Sequence, residues 1–151
     1  MKKLYVMAIA MFVLLIGNAA VAAIITVNGD GTADYTTIQD AIDASSNGDE
    51  IIVGPGTYTN IDSWVFNPNG KAIWIHSSAG ANTTVVSGEG LRRVAWISNG
   101  ETSTTIIEGF TFTYGLGGLF CASSPKLLDC VFANNVNPGA VSYIHFMFFL
   151  C

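Results

Sequence analysis

Basic residues are scarce in this chain. Lys and Arg together number 6 of 151 residues, against 11 Asp and Glu. A nucleic-acid partner needs a clustered basic footprint to neutralise phosphates, and none exists here, so that class is excluded. Cysteine is also sparse and odd in number, at Cys121, Cys130 and Cys151. Three cysteines do not make a disulfide framework, and their spacing is not that of a zinc site. Cys121 and Cys130 are therefore expected to act as small buried hydrophobes. A long membrane-spanning run is missing as well. The apolar stretch Leu4–Ile16 is short for a span.

That stretch has a different meaning. It follows Lys2 and Lys3 and precedes Ala20-Val21-Ala22, a small-x-small cleavage site, with Val21-Ala22-Ala23 as the other register. A positive start, a short apolar run and small residues form a secretory signal peptide of bacterial type. The expected signal covers residues 1–23, with the mature chain starting near Ala23 or Ile24. Losing Lys2 and Lys3 leaves four bases against 11 acids, a mature net charge of −7. The expected location is secreted, extracellular or cell-surface, with no transmembrane helix after cleavage. Acidity favours solubility there more than any particular partner.

Helical periodicity is nearly absent beyond one segment. In "DGTADYTTIQDAIDA", Asp30–Ala44, Thr36 reads as an N-cap with Gln39 three residues later. Ile38, Ala41 and Ile42 then give one apolar face. Ser45-Ser46-Asn47-Gly48 stops it, with Gly48 suited to a left-handed cap. Such a helix is too short to stand alone and must lie on something.

Beyond Gly48 the chain reads as strand and turn. Glu50–Val53, Ala72–Ile75 and Val94–Ile97 read as strands, as does Ile24–Val27 before the helix. Ile52, Ile73 and Val94 recur at 21 residues, and Thr83–Gly88 matches Thr104–Gly109 at the same interval. Ile107, Phe110 and Phe112 correspond to Leu127, Cys130 and Phe132 at 20. Short strands repeating in the low twenties point to a solenoid. The expected fold is all-β, a right-handed parallel β-helix with a short N-terminal capping α-helix that closes its open end.

The cap followed by "GDEIIVGPGTYT", with "IIEGFTFTYG" and "SSPKLLDCVFANN" later, resembles secreted right-handed parallel β-helix proteins of the pectin-lyase-like superfamily. The resemblance covers Ile24–Asn135. It implies a scaffold shared by lyases, esterases and proteins without chemistry, so fold alone does not assign activity. The esterase motif resembling Gly-x-x-Asp-Phe-Ile-Phe-Gly and the lyases' calcium aspartates cannot be placed here. No catalytic residue is assigned, and no metal or cofactor is expected. Residues 24–135 are expected to be the N-terminal part of the repeat array. Residues 136–151 are an atypical apolar tail, read as a truncated or frame-shifted end, so further rungs or another surface domain are expected partners.

Three residues are candidates for binding substrate. Arg92 and Arg93 follow a glycine turn and would grip a carboxylated sugar by bidentate hydrogen bonds, unless they are solvated charges facing Glu89 or Glu108. Trp64, in the loop 59–67, would stack on a sugar ring, unless it is packing. Trp74 is expected to face out and Trp96 in, so the two need not form one platform. His76 has no identifiable partner and reads as an ordinary exposed histidine. Asp30 and Asp34 fit turn chemistry rather than calcium. Asn134-Asn135 at a turn would satisfy buried backbone groups. The expected function is a secreted or cell-surface module, noncatalytic as it stands, with carbohydrate or another surface polymer as partner. The alternative is the N-terminal piece of a polysaccharide-active enzyme, a lyase or esterase lacking its active part.

Overall fold

A computed structural model describes residues 21–136 together with the strands Tyr143–Phe146 and Phe149–Leu150. Residues 1–20, most of the expected signal peptide, lie outside the described residues, as do the remaining tail positions.

Among the described residues the fold is mostly β, with one short helix. The first sheet holds β1 (Ile24–Val27), β2 (Glu50–Val53), β5 (Trp74–Ser77), β8 (Ile106–Glu108), β11 (Lys126–Leu128) and β14 (Phe149–Leu150), in that order. The second holds β3 (Gly56–Tyr58), β6 (Thr84–Ser87), β9 (Thr111–Thr113), β12 (Cys130–Ala133) and β13 (Tyr143–Phe146). The third is the narrowest, with β4 (Trp64–Phe66), β7 (Arg93–Ile97) and β10 (Leu119–Cys121). From β2 to β12 the chain visits the three sheets in rotation, and all of those pairings are parallel. The tail strands break the pattern: β13 pairs antiparallel with β12, and β14 antiparallel with β11.

The expectation of one right-handed solenoid with rungs repeating at 20–21 residues is corrected by three separate sheets. Its principal series equated strands that do not pair. Ile52 belongs to the first sheet and Val94 to the third. The Thr84–Ser87 strand lies in the second sheet, while its supposed copy, Ile106–Glu108, lies in the first. Similar β-branched runs recur because all three sheets need them, so similarity of strands is not identity of position. The shorter correspondence is a true register. Leu127 pairs with Ile107, and Phe132 pairs with Phe112.

Burial follows the pairing. Ile51, Ile75, Ile107 and Leu127 form one buried row, since residues in register on adjacent strands share a face. Tyr58, Val86, Phe112 and Phe132 form another. Aromatic packing joins the sheets: Phe112 lies 6.2 Å from Phe66 of the third sheet, 6.0 Å from Phe110 and 5.0 Å from Phe132. Cys130 belongs to this core. Cys121 is half-buried and disulfide-bonded, a departure from its expected role as a simple hydrophobe.

Helix α1 (Ile38–Ala44) buries Ile38, Ala41 and Ile42 against β1, β2 and β4. Its N-cap is Thr37, one residue later than Thr36. The Asp40 amide donates to Thr37 Oγ1 at 3.1 Å, and the Thr37 hydroxyl donates to Asp40 Oδ2 at 2.6 Å. Gln39 is therefore released from capping. Its Oε1 accepts from the Asn67 amide at 2.7 Å, and its Nε2 donates to the Asn67 carbonyl at 3.3 Å. The helix ends at Ala44, capped by Ser45, the first residue of the stretch expected to stop it, and Gly48 takes a left-handed φ of 95°; Lys71 Nζ donates to the carbonyls of Ile42, Asp43 and Ser45.

Candidate functional site

The third sheet carries an aromatic ladder. Parallel pairing sets Phe120 of β10 opposite Trp96 of β7. Their rings stack with centroids 4.2 Å apart and planes at 20°. Trp64 of β4 continues the row, 5.7 Å from Trp96 and tilted by 31°. All three rings are half-buried and stand outside the core cluster. The inward orientation expected of Trp96 is not observed, since the buried positions beside it are Ala95 and Ile97. The ring instead packs on its cross-strand partner, which is where a pleated sheet brings large side chains together.

Arg93 lies over this ladder. Its guanidinium carbon sits 5.7 Å from the Trp96 centroid and 5.5 Å from that of Phe120, within cation–π range. Nη1 donates to the Gly117 carbonyl at 2.8 Å, which fixes the side chain's direction. A Cβ added at Gly117 would meet Nη1 at 2.6 Å, and the backbone there has φ +82°. Glycine at this position thus leaves room for the guanidinium. Among the described residues, Arg93 pairs with no carboxylate.

Arg92 is placed differently. It stands just before β7 and forms an ion pair with Glu89. The two arginines therefore have separate partners, and only Arg93 and Trp64 share the ladder's neighbourhood. Sequence reasoning missed Phe120 and Trp96 as members. The register of β7 with β10 brings them together, and that register follows no fixed interval in the chain.

A second cluster lies on the first sheet. His76 Nε2 is 2.8 Å from Glu50 Oε1, and the imidazole stacks on Trp74 at 4.1 Å. The Trp74 indole N–H donates to Glu108 Oε2 at 3.0 Å. Trp74 does face out, at 38% exposure. His76 is half-buried and partnered, unlike the isolated histidine expected. Its partner lies 26 residues earlier, out of reach of any local pattern. A groove of about 580 Å³ runs beside this cluster, with Glu50, Trp74, Ile24 and Asp49 among its walls.

Asp30 closes its own turn by accepting from the Thr32 amide and hydroxyl at 2.9 and 2.6 Å. Asp34 accepts from Thr26 in the same manner. These bonds hold both carboxyls below the ordinary aspartate range. Among the described residues no group of three or more His, Cys, Asp or Glu is arranged to hold a metal, and no helix is long and apolar enough to cross a membrane. Comparison with protein-family models and with curated proteins returns no match. The three separate sheets overturn the assignment to the pectin-lyase-like superfamily.

Proposed function

We propose that this chain is a secreted or cell-surface module that binds carbohydrate without transforming it, and that its ligands are carboxylated sugars. The observation that carries the reading is Arg93, half-buried on an aromatic ladder with no carboxylate partner among the described residues. A half-buried cation gains from an anionic ligand because water no longer screens the pair fully. A guanidinium with one N–H committed to Gly117 keeps further donors in a planar fork that matches a carboxylate. Trp64, at the end of the ladder, offers an aromatic surface to the apolar face of a sugar ring. Arg92 holds the neighbouring turn through Glu89. The export segment read from residues 1–23 supports a location where such polymers occur.

The test is affinity electrophoresis in gels containing a uronic-acid polymer or a neutral glucan. The uronate gel is expected to retard the protein. Arg93→Met is expected to weaken retention by about tenfold, the cost of one charge-assisted contact, and Trp64→Ala to weaken it through the loss of ring stacking. Equal mobility in both gels, or unchanged retention of Arg93→Met, refutes the reading.

A catalytic reading has one observation in its favour. The Glu50–His76 pair beside the groove has the geometry of a base held by a carboxylate. It would make the chain part of a polysaccharide-active enzyme. Release of unsaturated uronide, followed by ultraviolet absorbance, or of methanol from a methylated polymer, decides for it. Loss of that release in His76→Gln would place the chemistry at this pair.

A further inference from the structure

Two cleavage registers are open in the sequence, one ending at Ala22 and one at Ala23. The geometry around Ala23 separates them. The Ala23 nitrogen donates to Asp49 Oδ1 at 2.8 Å, and its carbonyl oxygen accepts from the Glu50 amide at 2.9 Å. Ala23 thus begins the pairing of β1 with β2. Asp49 is only 7% exposed, and its second oxygen accepts from the Ser46 amide at 2.7 Å. Val21, Ala22 and Ala23 are all exposed, but among the described residues hydrogen bonds tie only Ala23 of the three to the fold.

We infer that processing cuts the Ala22–Ala23 bond and that the new α-ammonium of Ala23 forms an ion pair with the buried Asp49 carboxylate. This rests on the export reading of residues 1–23. The step is a hydrolysis by a signal-type endopeptidase. Water attacks the Ala22 carbonyl carbon and the C–N bond to Ala23 breaks. The water oxygen stays on Ala22 as a carboxylate, and the released amine takes up a proton. An amide donor on Asp49 becomes a cationic donor, and charge-assisted bonds are roughly twice as strong as neutral ones. Cutting after Ala23 would remove both of its contacts and leave Asp49 buried with one donor fewer, which is costly for a carboxylate.

The charged groups around this pair are Lys71, which acts on Asp49 from the segment before β5, and Glu50, which is engaged by His76. The Ala23 amide, the Ser46 amide and Lys71 already hold the Asp49 carboxyl below its ordinary range against the effect of burial. A paired α-ammonium has its pKa raised. Its contribution to stability is full at pH values below the ordinary α-amino range and is lost as the pH rises through the raised value.

The experiment begins with export of the full chain from a bacterial host and N-terminal sequencing of the product. A start at Ala23 is expected. A start at Ile24 overturns this inference alone. A product retaining Met1 overturns the export reading and this inference together. The exported chain is then compared with its Asp49→Asn variant by thermal melts from about pH 7 to about pH 9.5, spanning the titration of α-amines. The Tm difference between the two is expected to shrink across that range. A constant difference means that the α-ammonium does not pair with Asp49 and overturns the ion pair. If Asp49→Asn does not fold, the reaction of the native α-amine with an amine reagent decides. The expected half-point lies above that of an unpaired α-amine, and an ordinary half-point overturns the proposal.

Discussion

The ammonium of Lys71 donates to the carbonyl oxygen of Ile42, a residue 29 positions earlier in the chain. It donates as well to the carbonyls of Asp43 and Ser45. A short helix with no basic residue in its last turn borrows a cation from the segment just before β5. The Ile42 carbonyl, which also accepts from the Ser45 amide and hydroxyl, and the Asp43 and Ser45 carbonyls gain a cationic donor, and the negative end of the helix dipole is neutralised.

Lys71→Met should therefore destabilise the protein by about 1–2 kcal/mol, the worth of a partly buried charge at a helix C-terminus. The urea midpoint would fall with an unchanged slope. An unchanged midpoint would show that water caps these carbonyls equally well.

Asn135 is buried and bridges two strand ends. Its Oδ1 accepts from the Gly115 amide at 2.7 Å, and its Nδ2 donates to the Phe112 carbonyl at 3.0 Å. Asn135→Ala would strand both backbone groups. Each unsatisfied group costs about 1–3 kcal/mol, so this substitution should rank among the more damaging polar changes. Chemical denaturation measures it. A loss below that of an exposed Asn82→Ala control would contradict the bridging role.

Glu101 is 3% exposed and carries a pH dependence. Burial by itself would raise its pKa. Hydrogen bonds from Ser123 and from the amides of Glu101, Gly70 and Asn99 outweigh it and hold the carboxyl below the ordinary glutamate range. The folded pKa is depressed, so the contribution is present above the unfolded value and is lost as the pH falls through the folded one. Glu101→Gln should be less stable at neutral pH and should lose less on acidification. Parallel acid-unfolding curves for the two proteins would argue against it.

Cys130 is buried, and that burial pushes its thiol up to about 12. The thiolate is the reactive form. Iodoacetamide at neutral pH should leave Cys130 unmodified in the native protein and alkylate it in urea, as read by peptide mass. Native labelling would show that this core opens readily.

Much of the local structure was legible in the chain itself. Ile24–Val27 and Glu50–Val53 form the strands their β-branched runs predict, because a half-buried pleated surface suits those side chains. The 3.6-residue spacing of Ile38, Ala41 and Ile42 identified the buried face of α1. The turn role of Asp30 follows from its own neighbours, and the asparagine role came out at Asn135.

Tertiary structure decided what those elements do together. Which strand lies beside which depends on loop lengths that vary between Tyr58 and Val86 and between Ile75 and Ile107, and a repeat search sees only interval and composition. Hence a 21-residue interval sets Val94 in the wrong row. The Trp64–Trp96–Phe120 ladder, the Arg93 guanidinium above it and the Glu50–His76 pair exist because register across three sheets brings distant residues within a few ångströms. A chain determines its short-range periodicities residue by residue. Pairing between distant strands is settled only by the packing of all of them around one core.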